Sequence, residues 1–483
     1  MRWPYIWRTI GALIVCIGLS LTIPSLYALV ARDPSANTLF QSALTALLSG
    51  LLLFFLFRRH QVAVLSHREG MAIVSIGWLL AGLIGALPFY FYNISISFAD
   101  AFFESVSGFT TTGASILTDI EAVPRGLLLW RSLTHWLGGM GIIVLSLAIL
   151  PFIGVGGMQL YKAEVPGPIP DKLRPRIRDT AKDLWIVYLL FSLIETLLLV
   201  LGGMDLFESL CHTFGTMATG GFSTRNASIG HYQSVYIESV ITIFMFLAGI
   251  NFSLHYLLIT EKKASILWKD PELRFYTLIT FLFIGICTIS IYGDLYDNPA
   301  YAFRYAAFQV VSILTTTGYA TADFELWPSL PHIVLLLSMF LGASAGSTGG
   351  GIKCMRIILL MKQAYREILY LIHPKMISPI KFGGKVVSDE VMRSVLGFFL
   401  IYIGVFLAAS MIMAALNLDL VTSMAAVAAC IGNIGPGIGT VGPSENYAHL
   451  PDMAKWVLSA CMLLGRLEIY TVIVLFIPEF WKK

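Results

Sequence analysis

The stretch Ala101-Phe102-Phe103-Glu104-Ser105-Val106-Ser107-Gly108-Phe109-Thr110-Thr111-Thr112-Gly113 aligns without gaps on Ala306-Ala307-Phe308-Gln309-Val310-Val311-Ser312-Ile313-Leu314-Thr315-Thr316-Thr317-Gly318, and both end in Thr-Thr-Thr-Gly. A weaker copy ends Met217-Ala218-Thr219-Gly220-Gly221-Phe222, and the weakest reads Ile431-Gly432-Asn433-Ile434-Gly435-Pro436-Gly437. Aligned on Gly113, Gly220, Gly318 and Gly435, the copies recur at intervals of 107, 98 and 117 residues. A fixed period of this kind marks a repeat architecture. Each unit reads as span, short helix, glycine turn, span.

The segment before each glycine is about ten residues long, too short to cross a bilayer as a helix but long enough to enter it halfway. It must then turn back. Non-helical backbone at membrane depth survives only where it is buried in protein or lines a water-filled cavity. Four such turns around one axis make a pore. Glycine permits the positive φ that turns carbonyls toward a common centre, and a ring of carbonyls replaces the hydration shell of a cation. Half-helices entering from outside would direct their partially negative C-terminal ends at that centre. Threonine hydroxyls add further oxygens.

Composition agrees. Of 483 residues, 57% are hydrophobic and only 61 are Lys, Arg, Asp or Glu, roughly half the usual charged fraction of a soluble domain. Charge-free runs at 9–31, 39–57, 71–99, 132–161, 239–260, 275–293 and 394–418 each reach the length of a spanning helix. A soluble enzyme, a disulfide scaffold and a disordered tail are excluded. The first run is longer than a typical signal-peptide core and reads as an uncleaved span. The net charge of +3 is small and dispersed, so nucleic-acid binding, which needs a concentrated basic face, is not expected. Cys16, Cys211, Cys287, Cys354, Cys430 and Cys461 are scattered singly and read as small buried hydrophobes rather than disulfides or metal ligands.

Sorting Lys and Arg by loop places 25 of the 32 on one face of the membrane. The inner groups are Arg2 and Arg8; Arg58, Arg59 and Arg68; six from Lys162 to Lys182; four from Lys262 to Arg274; eight from Lys353 to Arg393; and the two C-terminal lysines. Arg32, Arg125, Arg131, Arg225, Arg304 and Lys455 fall outside, and Arg466 lies within a span. Basic residues stay cytoplasmic, so both termini are expected there, with ten crossings. The expected fold is an all-α polytopic membrane protein with two N-terminal spans in 1–66, followed by pore repeats 67–165, 166–262, 263–375 and 376–483.

On these residues the chain resembles the Trk, Ktr and HKT superfamily of potassium transporters, most closely the bacterial TrkH/TrkG type. Besides the four glycine turns the likeness rests on His135-Trp136-Leu137-Gly138-Gly139-Met140-Gly141, Gly156-Gly157-Met158-Gln159-Leu160-Tyr161 and Gly220-Gly221-Phe222-Ser223-Thr224. It rests further on Gly249-Ile250-Asn251-Phe252, on Ala345-Gly346-Ser347-Thr348-Gly349-Gly350-Gly351-Ile352-Lys353 and on Leu464-Gly465-Arg466-Leu467-Glu468. The resemblance implies K+ uptake across a bacterial inner membrane, with a filter at Thr111, Thr112, Gly113, Ala218, Thr219, Gly220, Thr316, Thr317, Gly318, Asn433, Ile434 and Gly435. It implies a homodimer with one pore per protomer, and a cytoplasmic nucleotide-binding regulatory partner of the TrkA type. No organic cofactor is expected in this chain. In relatives where serine replaces the first filter glycine, sodium permeation follows; Gly113 is retained here.

Two features stand beside the filter. The run from Leu341 to Gly351 interrupts an apolar span with more glycine than helix tolerates; flexible packing is one reading, and an intramembrane gate using Gly346, Ser347, Thr348, Gly349, Gly350, Gly351 and Lys353 is the family's. Arg466 sits where charge is costly, either in an ion pair, with Glu195 as the candidate, or as a positive gate below the filter. The same glycine-rich run contains Gly342-Ala343-Ser344-Ala345-Gly346, a G-x-S-x-G match without the strand-to-helix setting that motif needs. A membrane hydrolase using Ser344 and one of His135, His212, His255 or His332 is the distant alternative. A sodium-permeable or weakly selective cation pathway is the near one. Asp100, Glu104, Asp205, Glu208, Asp323 and Glu325 read equally as a cation-concentrating mouth or a solvated face.

Overall fold

The computed structural model describes residues 1–59, 66–94, 97–141, 177–263 and 265–482. The motif 156–161 and most of the basic segment from Lys162 to Lys182 lie outside them. Among the described residues the chain is almost wholly helical, with one two-residue hairpin pairing Lys381–Phe382 with Lys385–Val386.

Helices α1 (Trp3–Val30) and α2 (Ala36–Leu56) form the N-terminal pair. Gly11 and Gly50 face each other so closely that a Cβ at either would press on the other's carbonyl oxygen. Small residues at such a crossing supply the close packing that lipid-embedded helices need. The pair packs on the first repeat, where Leu13, Trp78 and Trp130 share one buried cluster.

Four units follow, each led by a long span: α3 (His67–Phe91), α6 (Ile177–Leu201), α10 (Pro271–Ile291) and α14 (Asp389–Ala415). A short helix comes next: α4 (Phe98–Phe109), α7 (Leu206–Met217), α11 (Pro299–Leu314) or α15 (Leu420–Ile431). A polar side chain caps the first turn of every one. Ser97 accepts from Asp100 N, Asp205 from Phe207 N, Asn298 from Ala300 N and Asp419 from Thr422 N. These caps satisfy amides that the helix cannot.

The returning segments differ from the continuous spans expected. α8 (Val235–Ala248) bends by 96° into α9 (Phe252–Glu261), and α16 (Asp452–Arg466) bends by 112° into the segment begun by α17 (Tyr470–Ile473). α12 (Ser329–Leu341) stops before an irregular stretch that leads to α13 (Cys354–Ile372). α5 (Arg125–Gly139) runs to the edge of the described residues. Among the described residues, six helices are long and apolar enough to cross a membrane, or eight if each bent pair is one span.

The two ends of the chain meet. Trp3 stacks on Trp481 with ring centroids 5.6 Å apart, Arg68 Nη1 donates to Lys482 O at 2.7 Å, and Arg2 Nε donates to Glu69 Oε1 at 2.8 Å. Both termini therefore lie beside the start of α3.

Candidate functional site

Each short helix closes in the same way. One residue past it (Thr110, Ala218, Thr315, Gly432), the next adopts a left-handed backbone: Thr111 at φ 53°, Thr219 at 54°, Thr316 at 61° and Asn433 at 55°. The following amide then donates back into the helix: Thr112 N to Ser107 O at 2.9 Å, and Gly220 N to Gly215 O, Thr317 N to Ser312 O and Ile434 N to Ala429 O, each at 2.8 Å. This is a Schellman-type closure, whose left-handed position is ordinarily glycine. A side chain there costs roughly 1–2 kcal/mol, so four such residues at equivalent, fully buried positions mark stored strain.

The residue after that amide is a glycine in every unit: Gly113 (φ 82°), Gly221 (79°), Gly318 (85°) and Gly435 (99°). This corrects the register of the second copy. Its turn is Thr219-Gly220-Gly221, so Gly221 is the equivalent of Gly113 and Ala218 belongs to the helix cap. The Gly-Gly pair allowed either alignment in sequence, and the backbone hydrogen bonds select one.

The four turns interlock. A Cβ added to Gly113 would overlap Gly220 O; one on Gly221 would overlap Thr317 O; one on Gly318 would overlap Ile434 O; and one on Gly435 would press on Thr112 O. Each glycine thus lies against the carbonyl that precedes the glycine of the next unit, and the series returns to its start. The glycines also line one cavity of about 150 Å³, with Ser115, Ser223 and Tyr447. Thr110 and Thr112 hydroxyls bond at 2.8 Å, as do Thr315 and Thr317, and Asn433 Nδ2 donates to Thr112 Oγ1 at 3.0 Å.

Residues 342–353 lie against the C-terminal ends of these helices. Gly350 N donates to Thr316 Oγ1 at 2.7 Å, Thr348 Oγ1 donates to Met217 O at 3.0 Å, and Gly350 is too close to Gly432 O to carry a Cβ. The stretch therefore touches the second, third and fourth turns at once. Ser344 N donates to Gly249 O, and Gly346 O accepts from Phe252 N, both at 3.0 Å, joining it to the α8–α9 break. Glu272 Oε1 accepts from Ala345 N at 2.7 Å and from Met355 N at 2.8 Å, clamping both ends. Glu272 escaped the sequence reading; its only signal was an acid in the first turn of an otherwise apolar span.

Arg466 does not pair with Glu195. Its guanidinium donates to Thr348 O at 2.8 Å and to Gly139 O at 2.9 Å, and also to Gly138 O. It thereby joins the irregular stretch to the end of α5. Glu195 is fully buried. Lys353 Nζ is buried and bonds to Gly349 O, while Arg356 pairs with Glu468.

Of the six acids, Asp100, Glu104 and Glu208 are buried, Asp323 and Glu325 are half-buried and Asp205 is exposed. Glu104 is buried and accepts from Arg131 Nε at 2.6 Å and Ile116 N at 2.9 Å; Asp100 pairs with Lys455. Glu208 binds Arg225 and Tyr232, and Glu325 accepts from Gly439 N at 2.8 Å. Asp205 and Asp323 cap local turns.

The hydrolase constellation is not assembled. Ser344 is buried with its hydroxyl unpartnered, whereas His212 bonds to Ser223 Oγ, His255 to Leu247 O, His332 to Phe324 O and His135 to Phe222 N.

Four half-crossing helices whose strained turns interlock around one cavity, carried by spans, define an all-helical membrane transporter. The family model described as "TrkH: Cation transport protein" matches residues 35–483. The chain is 42% identical to the Trk system potassium uptake protein TrkH of Escherichia coli K12 over the whole of both chains, and 38% identical to the TrkG protein of that strain, covering 98% of this chain and 97% of that one. The crystal structure of the potassium transporter TrkH from Vibrio parahaemolyticus superposes with a TM-score of 0.90 at 38% identity, covering all of both chains. The chain belongs to the TrkH family of cation transport proteins, a family of transporters and not of enzymes.

Proposed function

We propose that this protein takes up K+ across a bacterial inner membrane through the ring formed by the four turns. The observation that carries the reading is the closed interlock of Gly113, Gly221, Gly318 and Gly435 with the carbonyls of Gly220, Thr317, Ile434 and Thr112. The filter in this reading is residues 111–113, 219–221, 316–318 and 433–435, because a ring of carbonyls can replace the hydration shell of a cation. The names of the similar proteins, potassium uptake proteins and a potassium transporter, favour K+ as the cargo.

Residues 346–351 with Lys353 act as the gate, because they lie against three of the four turns. Arg466 holds that gate shut and places a positive charge below the filter. The basic face, with both termini, is cytoplasmic, and the repeats divide near residues 67, 166, 263 and 376. The protein works as a homodimer with one pore in each protomer and answers to a cytoplasmic nucleotide-binding subunit of the TrkA type. The test is cation-selective flux by the purified protein in vesicles, with and without that subunit.

A further inference from the structure

The second turn lacks the side chain that the others carry. Thr112, Thr317 and Ile434 stand where repeat two has Gly220. Thr112 and Thr317 use their hydroxyls to brace the strand against the helix cap. At Gly220 the space is taken: an added Cβ would run into the ring of His135. His135 belongs to α5, the returning helix of the first unit, and is fully buried.

His135 does more than fill space. Its ring stacks on Phe222 at 4.0 Å between centroids and 15° between planes, and its Nδ1 accepts from Phe222 N at 3.4 Å. One turn earlier on α5, the Arg131 guanidinium lies 3.5 Å from the same Phe222 ring centre, and Nη1 donates to Ser223 O at 2.9 Å. Two groups this close to one ring centre cannot share a face, so Phe222 is held between Arg131 and His135. The clamp grips the two residues that follow Gly221. Gly220 O, on the other side, is the carbonyl against which Gly113 packs.

We propose that His135 is a positioning residue for ion selectivity, its ring standing in for the missing side chain at Gly220 and setting the Gly220 carbonyl of the second unit against Gly113 of the first. This rests on the reading of the four turns as the filter. A mispositioned carbonyl changes cavity size and ligand number together, the two quantities on which discrimination among cations depends.

The test is a coupling measurement in vesicles, reading K+ and Na+ flux. Gly220→Ala in the natural background forces a methyl into the His135 ring, and K+ flux is expected to fall by about tenfold or more. In a His135→Ala background that ring is absent, and the same change is expected to lower flux several-fold less than it does in the natural background. His135→Ala alone is expected to reduce the K+/Na+ flux ratio by about tenfold. Equal effects of Gly220→Ala in both backgrounds, or an unchanged ratio in His135→Ala, would overturn the proposal. His135→Asn, smaller but still offering an acceptor to Phe222 N, gives the same comparison if the alanine variant does not fold. If the natural protein shows no K+ preference at all, the filter reading fails instead, so the two failures are distinguishable.

Discussion

Arg466 Nη1 donates to the carbonyl oxygen of Thr348 at 2.8 Å, linking the break after α16 to the irregular stretch between α12 and α13. Hydrogen bonds to charged groups contribute about 1.5–3 kcal/mol, which is roughly a ten- to hundredfold bias between two states. Arg466→Gln is expected to raise basal K+ flux by about tenfold or more. Flux without the regulatory subunit checks it; a folded variant with unchanged flux would remove Arg466 from gating.

Gly113→Ser puts a Cβ onto Gly220 O. The adjacent strands must separate, and the K+/Na+ flux ratio is expected to fall by about tenfold, equivalent to about 1.4 kcal/mol. Competition between labelled Rb+ and Na+ measures it, and an unaltered ratio would take Gly113 out of the filter.

Glu272→Ala leaves the amides of Ala345 and Met355 without their shared carboxylate acceptor. Each buried orphan costs about 1–3 kcal/mol. The midpoint of thermal unfolding in detergent is expected to drop, and basal flux to rise because the irregular stretch is no longer clamped at its ends. A variant with natural stability and natural flux would show that the clamp does nothing.

Glu104 and Arg131 form a buried pair, and removing one partner of such a pair costs about 3–5 kcal/mol. Glu104→Gln is therefore expected to lower thermal stability while leaving the K+ concentration for half-maximal flux unchanged in the protein that folds. An acid that concentrates cations at the mouth would give the reverse: natural stability and a half-maximal concentration that rises and depends on salt.

The turns were legible because helix length and glycine recur in each unit, with threonine in three of the four, and because lipid tolerates no open backbone. Their register in the second unit was not. Gly220 is a glycine because His135, distant in sequence, occupies its side-chain space, and no local pattern reports that. The 112° bend after Arg466 was hidden for another reason. Glu468 (φ 59°) and Ile469 (51°) take positive φ without being glycine or asparagine, an outlier for a β-branched side chain. Tertiary contacts impose it, the Arg356–Glu468 pair among them. The pairing of Glu104 and Asp100 was not legible because sequence shows charge without its partner: Glu104 and Arg131 lie 27 positions apart, and Asp100 and Lys455 lie 355 apart.

The central claim, that four interlocked turns form a potassium filter, is tested most directly by flux through the purified natural protein in potassium-loaded vesicles. K+ and Rb+ are expected to pass at least about tenfold faster than Na+, with flux increased by the regulatory subunit. Equal K+ and Na+ flux, or none with that subunit present, would contradict it.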